Sequence, residues 1–440
     1  MVQKILAGRS RDPENLGDSV DAKIDHVVVA REPAKVLADL GKPGTKPGQP
    51  QVEVAVVYDT TCVTTGDFPG RDFASRGLLV ARAGAGFPSP VHLERFASPA
   101  RLCLTDDPRL SGVGGVGMLA LTVSSRELAR ALSHGTVTVR TPRSVQVLLT
   151  GRLRPFVGAR DVSLELVRRG LPAIVQRVEK QRGAGVVLEF AGPSVRALSV
   201  AERAVVAAIA PSCGAVGALF ASDERTEVFL RDERRSKAHR ALTPDPGAPC
   251  DEVLNIDLGA VDPLVIDETG AVRTVRDVGA REISQVVLGG DSGVTLRDFF
   301  AVAALLKAKR VPSHVDFLLA VPSRQILEVL ASSGALSDLI AAGARLVEPD
   351  ARILDGSLYA PSDPAASLRT HEPWLPLKKT PRPLVASAET LAQAVASGAL
   401  GDPRVFRRPV RLTLPRELPT DDVLIARAIP EKKAKKTSSD

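Results

Sequence analysis

An α/β protein built from three Rossmann-like α/β/α domains is what this sequence predicts, and three observations carry the prediction. Apolar residues make up 44% of the chain but aromatics only 3%, so the cores are built from Val, Leu and Ala packed between helices and buried strands. Short apolar runs alternate with helical periodicities along the whole length. The 440 residues also suffice for three domains of ~100–200 residues each.

In order, 52–58 and 77–82 read as short buried strands, and 125–132 as a helix running into a strand at 136–139. A second unit has a strand at 144–149, a turn and helix at 158–169, and a helix at 199–209 whose Ser199 and Glu202 have capping-box spacing. Residues 244–249, bounded by prolines, resemble a linker, after which 252–257 opens a third unit with strands at 285–288 and 315–321 and a helix at 295–308. The expected division is therefore 1–143, 144–252 and 253–425, followed by a solvated lysine-rich tail at 426–440. Ligands of such sheets sit at the carboxyl ends of strands, and three facing layers gather those ends around a central cleft.

The net charge of +7 arises from 58 basic and 51 acidic side chains, a mixed surface that does not indicate nucleic-acid binding. Cys62, Cys103, Cys213 and Cys250 show no Cys-x-x-Cys spacing and read as reduced, mostly buried thiols. No stretch approaches the ~20 apolar residues a membrane span requires, and the chain opens on an early charged run, so a cytoplasmic protein is expected. His26, His92, His134, His239, His314 and His371 lack metal-ligand spacing and read as surface or hydrogen-bonded side chains. The run Gly112-Val113-Gly114-Gly115-Val116-Gly117 has no following Lys-Ser/Thr and reads as a close-packed turn, not a phosphate loop.

Residues 141–162 with Gly151-Arg152-Leu153-Arg154-Pro155, 196–230 with Pro211-Ser212-Cys213-Gly214, Val321-Pro322-Ser323-Arg324, and Ser397-Gly398-Ala399-Leu400-Gly401-Asp402-Pro403 follow one another along the chain. Taken in that order, these segments resemble the aconitase superfamily, and within it the large subunit of isopropylmalate dehydratase. The resemblance implies three α/β domains around a cleft and a [4Fe–4S] cluster held by three cysteines, with one iron open to substrate as a Lewis acid.

At the positions the resemblance assigns to those ligands stand Asp291, Ala351 and Leu354, and no cysteine follows Cys250. The family's Asp-Ser-His-Thr segment falls on Asp106-Asp107-Pro108-Arg109, its upstream histidine on Ser89 with His92 three residues later, and its Arg-Asn-Phe segment on Arg369-Thr370-His371-Glu372-Pro373-Trp374. Of the family's carboxylate contacts Arg369 remains, since a planar guanidinium pairs bidentately with a carboxylate. The expectation is a degenerate large subunit without a cluster or other cofactor, acting as a binding or assembly protein. Its expected partners are a small swivelling subunit and a small carboxylate. The rival expectation is an active hydro-lyase on a small hydroxy-carboxylate, using a non-cluster metal near Asp291 and Arg369. A divalent site on Asp291, Asp350 and Asp355 is weighed against solvated loop carboxylates, which are favoured.

Overall fold

The computed structural model describes residues 1–14, 16–41, 49–62, 68–245, 247–372, 381–415 and 418–426. Trp374 and the lysines at 432–436 lie outside the described residues.

Three twisted sheets, each covered by helices, form the body of the protein. The first runs Ile425–Ala426, Leu79–Ala81, Val54–Tyr58, His26–Val29, Leu102–Thr105 and Leu119–Thr122; its last five strands are parallel. These strands are nearly continuous Val, Leu and Ala and are buried on both faces, as parallel strands between helical layers must be. The helix Ser125–His134 starts with the full capping box of Ser124 and Glu127 and ends at Gly135 in the left-handed region, and its Leu128, Ala131 and Leu132 face the sheet. Burial of Leu128 alone contributes roughly 1.5–3 kcal/mol.

The second sheet is wholly parallel, in the order Gly217–Phe220, Val186–Ala191, Arg143–Thr150 and Glu252–Asp257. Glu252–Asp257, expected to open the third unit, instead closes this sheet, so the chain passes to the third sheet only after it. Its burial alternates, as an edge strand with one wet face does, and that local pattern carries no information about which sheet it joins.

The third sheet has seven strands: Val272–Thr274, Leu264–Ile266, Leu384–Ala386, Ser367–Arg369, Gln285–Gly289, Asp316–Ala320 and Arg345–Leu346. Leu264–Ile266 is antiparallel to both its neighbours, so an antiparallel margin is added to a five-stranded parallel core.

The first and second sheets are locked together by Pro108–Val116, a short helical stretch lying on the helix Val200–Ala207. The glycines make this approach achievable: a Cβ on Gly114 would stand 1.9 Å from the Ala218 carbonyl oxygen, and one on Gly115 2.5 Å from the Ala204 nitrogen. The run therefore serves packing, as its sequence suggested. Below it Arg203 is buried, its guanidinium donating to the Val195, Leu198 and Ala221 carbonyls and bidentately to Asp223. Among the described residues no single helix is long and apolar enough to cross a membrane.

Candidate functional site

Four charged side chains converge where the three sheets meet, and each leaves the carboxyl end of a strand. Arg109 follows Leu102–Thr105, Arg160 follows Arg143–Thr150, Asp291 follows Gln285–Gly289 and Glu372 follows Ser367–Arg369. Turn chemistry sets each one in place. Asp107 caps Pro108–Val116 by accepting from the Arg109 nitrogen, which turns the Arg109 side chain inward. Arg160 sits in the first turn of Ala159–Arg168, where Asp161 accepts from the Gly158 and Leu264 nitrogens and so joins the second sheet's helix to the third sheet. Gly289, Gly290 and Gly293 all have positive φ, and a Cβ on Gly290 would lie 2.6 Å from the His371 ring.

The Arg109 fork grips Asp291: Nε and Nη2 both donate to its carboxylate, and Nη2 also donates to the Glu372 carbonyl at 3.0 Å. Side-chain exposure is 15% for Arg109 and 4% for Asp291, so this is a buried bidentate pair. Beside it, Arg160 Nη2 lies 3.2 Å from Glu372 Oε1, and the Ser212 hydroxyl donates to the other Glu372 oxygen. Two cations and two anions thus neutralise one another, which is what makes their burial tolerable. His371 packs against them with Nδ1 2.9 Å from the Gly289 carbonyl oxygen; burial, and then Arg369, Arg109 and Arg160, press its pKa far down, so the ring is neutral.

The sequence-derived candidates are distributed differently. Arg369 is 2% exposed, and its guanidinium reaches Ser367 Oγ at 3.3 Å and the Ile353 carbonyl at 3.4 Å. It is committed there, and the guanidinium that meets Asp291 is Arg109. The backbone nitrogen of Ala351 donates to the Thr60 carbonyl, and Leu354 is buried in the short helix Arg352–Asp355. Asp350 accepts from Arg352 and from the Cys62 nitrogen, and Asp355 from Ser357, so neither joins Asp291 in a common site. Among the described residues no group of three or more His, Cys, Asp or Glu side chains could hold a metal ion.

A cubane cluster requires three thiolates aimed at one point. At the positions that the resemblance assigns to such ligands stand a carboxylate occupied by arginine, a methyl group and a buried isobutyl group. All four cysteines are free; Cys103 and Cys213 are buried apart in separate cores, and burial pushes the Cys62 thiol up to about 11. The donor set at this centre does not fit the cluster.

His92 lies in the first domain's interior, not at this centre. Its Nε2 is 3.1 Å from His26 Nδ1 and its Nδ1 3.3 Å from the Tyr58 hydroxyl, and burial holds the His26 pKa down at about 3. Ser89, by contrast, lines a cavity of about 360 Å³ that opens beside Asp291 and Ser292. Arg109, Arg160 and Glu372 were given no role by sequence reasoning although each stands in a quoted segment. The available signal was that two departures from the family pattern, Arg109 and Asp291, introduce opposite charges far apart in the chain.

Comparison with known proteins adds ancestry to this geometry. Residues 71–276 match the family model described as aconitase family (aconitate hydratase). The 3-isopropylmalate dehydratase large subunit 2 of Archaeoglobus fulgidus is 25% identical over 426 residues, spanning 92% of this chain and 99% of its own. The homoaconitase large subunit of Thermus thermophilus is 27% identical over 368 residues, 79% of this chain and 83% of its own. A probable 3-isopropylmalate dehydratase large subunit of Methanothermobacter thermautotrophicus is 28% identical over 253 residues, 57% of this chain and 58% of its own.

Proposed function

This chain belongs to the aconitase superfamily and is isopropylmalate dehydratase large subunit-like, and on that premise we propose that it is a degenerate large subunit that holds no [4Fe–4S] cluster and acts as a binding or assembly protein. The observation that supports the proposal is the buried Arg109–Asp291 pair, formed at the position that the resemblance assigns to the first cluster ligand. A cluster would supply Lewis acidity toward a substrate hydroxyl and carboxylate. In this reading the Arg109–Asp291 and Arg160–Glu372 ion pairs stand in place of that chemistry, and charges already paired with one another are poorly suited to polarise a substrate. The rival reading, a hydro-lyase with a non-cluster metal on Asp291, draws no support from a carboxylate whose two oxygens both accept from Arg109.

A scaffold preserved without its chemical centre retains its surfaces, so the partner in this proposal is a small swivelling subunit of the dehydratase type, in a cytoplasmic setting. Two measurements test it together. Co-expressed with such a small subunit and resolved gently by size exclusion, the chain should co-elute with it; separate elution removes the assembly role. After anaerobic incubation with iron and sulfide the same sample should not turn over isopropylmalate, and turnover would overturn the proposal.

A further inference from the structure

Three helices, Ala159–Arg168, Leu296–Leu305 and Ala388–Ser397, each carry an acidic side chain in the first turn, and these side chains face one another where the second and third sheets join. Asp161 is fully buried and makes the joint itself: one oxygen accepts from the Gly158 nitrogen at the start of its helix, the other from the Leu264 nitrogen at the start of a third-sheet strand, both at 2.9 Å. Asp298, with 14% of its side chain exposed, accepts from the Thr295 nitrogen and hydroxyl. Glu389, at 7%, has one buried oxygen, Oε2, that accepts no hydrogen bond among the described residues. A Cβ on Gly158 would stand 3.6 Å from that oxygen.

The cations around this group do not balance it. Arg297 is shared, its Nη1 lying 3.5 Å from Asp298 Oδ1 and 3.4 Å from Glu389 Oε1. Arg160 turns to Glu372, and Arg154 donates to Asp262 and to the Val261 carbonyl. Glu202, which caps Val200–Ala207 alongside, adds a further carboxylate. Helix starts favour carboxylates, but three ionised acids beside one guanidinium would leave uncompensated charge out of water, which costs more than keeping a proton. The idle Glu389 oxygen needs a donor, and a protonated carboxyl beside it is one. Burial, and then Glu389, push Asp298 up; burial outweighs the Leu264 and Gly158 amides and, with Glu389, pushes Asp161 up to about 7.

We propose that this joint is a pH-sensitive latch: it retains a proton among Asp298, Glu389 and Asp161, and release of that proton to solvent sets the carboxylates against one another and loosens the second sheet's helix from the third sheet. The latch concerns the joint between two sheets and stands apart from the binding-protein reading.

The test uses the full chain. An acid whose value is raised in the folded protein stabilises fully below its ordinary value and loses that contribution as pH rises through the folded one. Hydrogen-exchange protection of the Ala159–Arg168 amides, corrected for intrinsic rate, should therefore fall from pH 5 to pH 8 by at least tenfold more than that of Ser125–His134 on the first sheet. The double variant Asp298→Asn/Glu389→Gln removes the like charges facing Asp161, and its difference between the two helices should be at least fivefold smaller than the parent's. Asp298→Asn alone should diminish the carboxylic-acid carbonyl band that the parent loses over the same range in infrared difference spectra, which keeps the test valid if the double variant folds poorly. Parallel protection profiles for the two helices of the parent, a double variant as pH-sensitive as the parent, or an acid band unaltered by Asp298→Asn overturns the proposal.

Discussion

Removing one member of the central ion pair is the sharpest perturbation the structure offers. In Asp291→Leu the Arg109 guanidinium, 15% exposed, loses both carboxylate contacts and keeps only Ser292 Oγ at 3.3 Å and the Glu372 carbonyl at 3.0 Å. Breaking a buried pair in this way costs about 3–5 kcal/mol, and the two surviving neutral acceptors place this case near the lower end. Arg109→Met should cost a similar amount, because it strands Asp291 at 4% exposure. The double variant replaces both charges by apolar groups of comparable length and should recover to within about 1 kcal/mol of the parent. Guanidinium denaturation followed by far-ultraviolet circular dichroism measures all four proteins. If Asp291→Leu alone is unchanged to within about 0.5 kcal/mol, the ordinary range of a surface substitution, the pair does not hold the centre together and the reasoning fails.

Three further outcomes follow from the same structure. Gly114→Ala should destabilise by about 1–3 kcal/mol or prevent folding, because its methyl group would stand 1.9 Å from the Ala218 carbonyl oxygen; a neutral result in the same denaturation assay contradicts the packing described. Arg203→Lys should cost about 3–5 kcal/mol, since an ammonium cannot reproduce the fork that joins Asp223 to three carbonyls, and a Tm equal to the parent's would refute that role. Glu94, with an ordinary value of 4.5 and a folded value of about 8, holds its proton more tightly in the folded chain, so its stabilisation is complete at acid pH and is lost as pH rises through 8. Thermal melts from pH 6 to 9 should therefore fall more steeply for the parent than for Glu94→Gln, and parallel profiles would contradict this.

The local elements were largely legible in the sequence, because their causes are local. The Ser199 and Glu202 box marks the start of Val200–Ala207, and the apolar run at 52–58 contains Val54–Tyr58. Sheet membership was less legible, since Glu252–Asp257 reads as an edge strand whichever sheet it joins. Of the site, Asp291, Ala351 and Leu354 were legible only as the positions that the resemblance assigns to the cluster ligands. What fills it was not legible, because Arg109 and Asp291 lie 182 residues apart and only the meeting of three sheets makes them neighbours. Arg369 was chosen as the guanidinium retained in the segment that resembles the family's Arg-Asn-Phe stretch, and its burial against the Ile353 carbonyl is a tertiary fact with no local signature.

The central claim, that this chain holds no cubane cluster, is tested most directly by the iron and acid-labile sulfide content of the full chain purified and reconstituted without oxygen. Both should stay at background, with no visible absorbance band from a cluster. Stoichiometric iron and sulfide in a folded protein, surviving removal of excess reagents, would contradict the account.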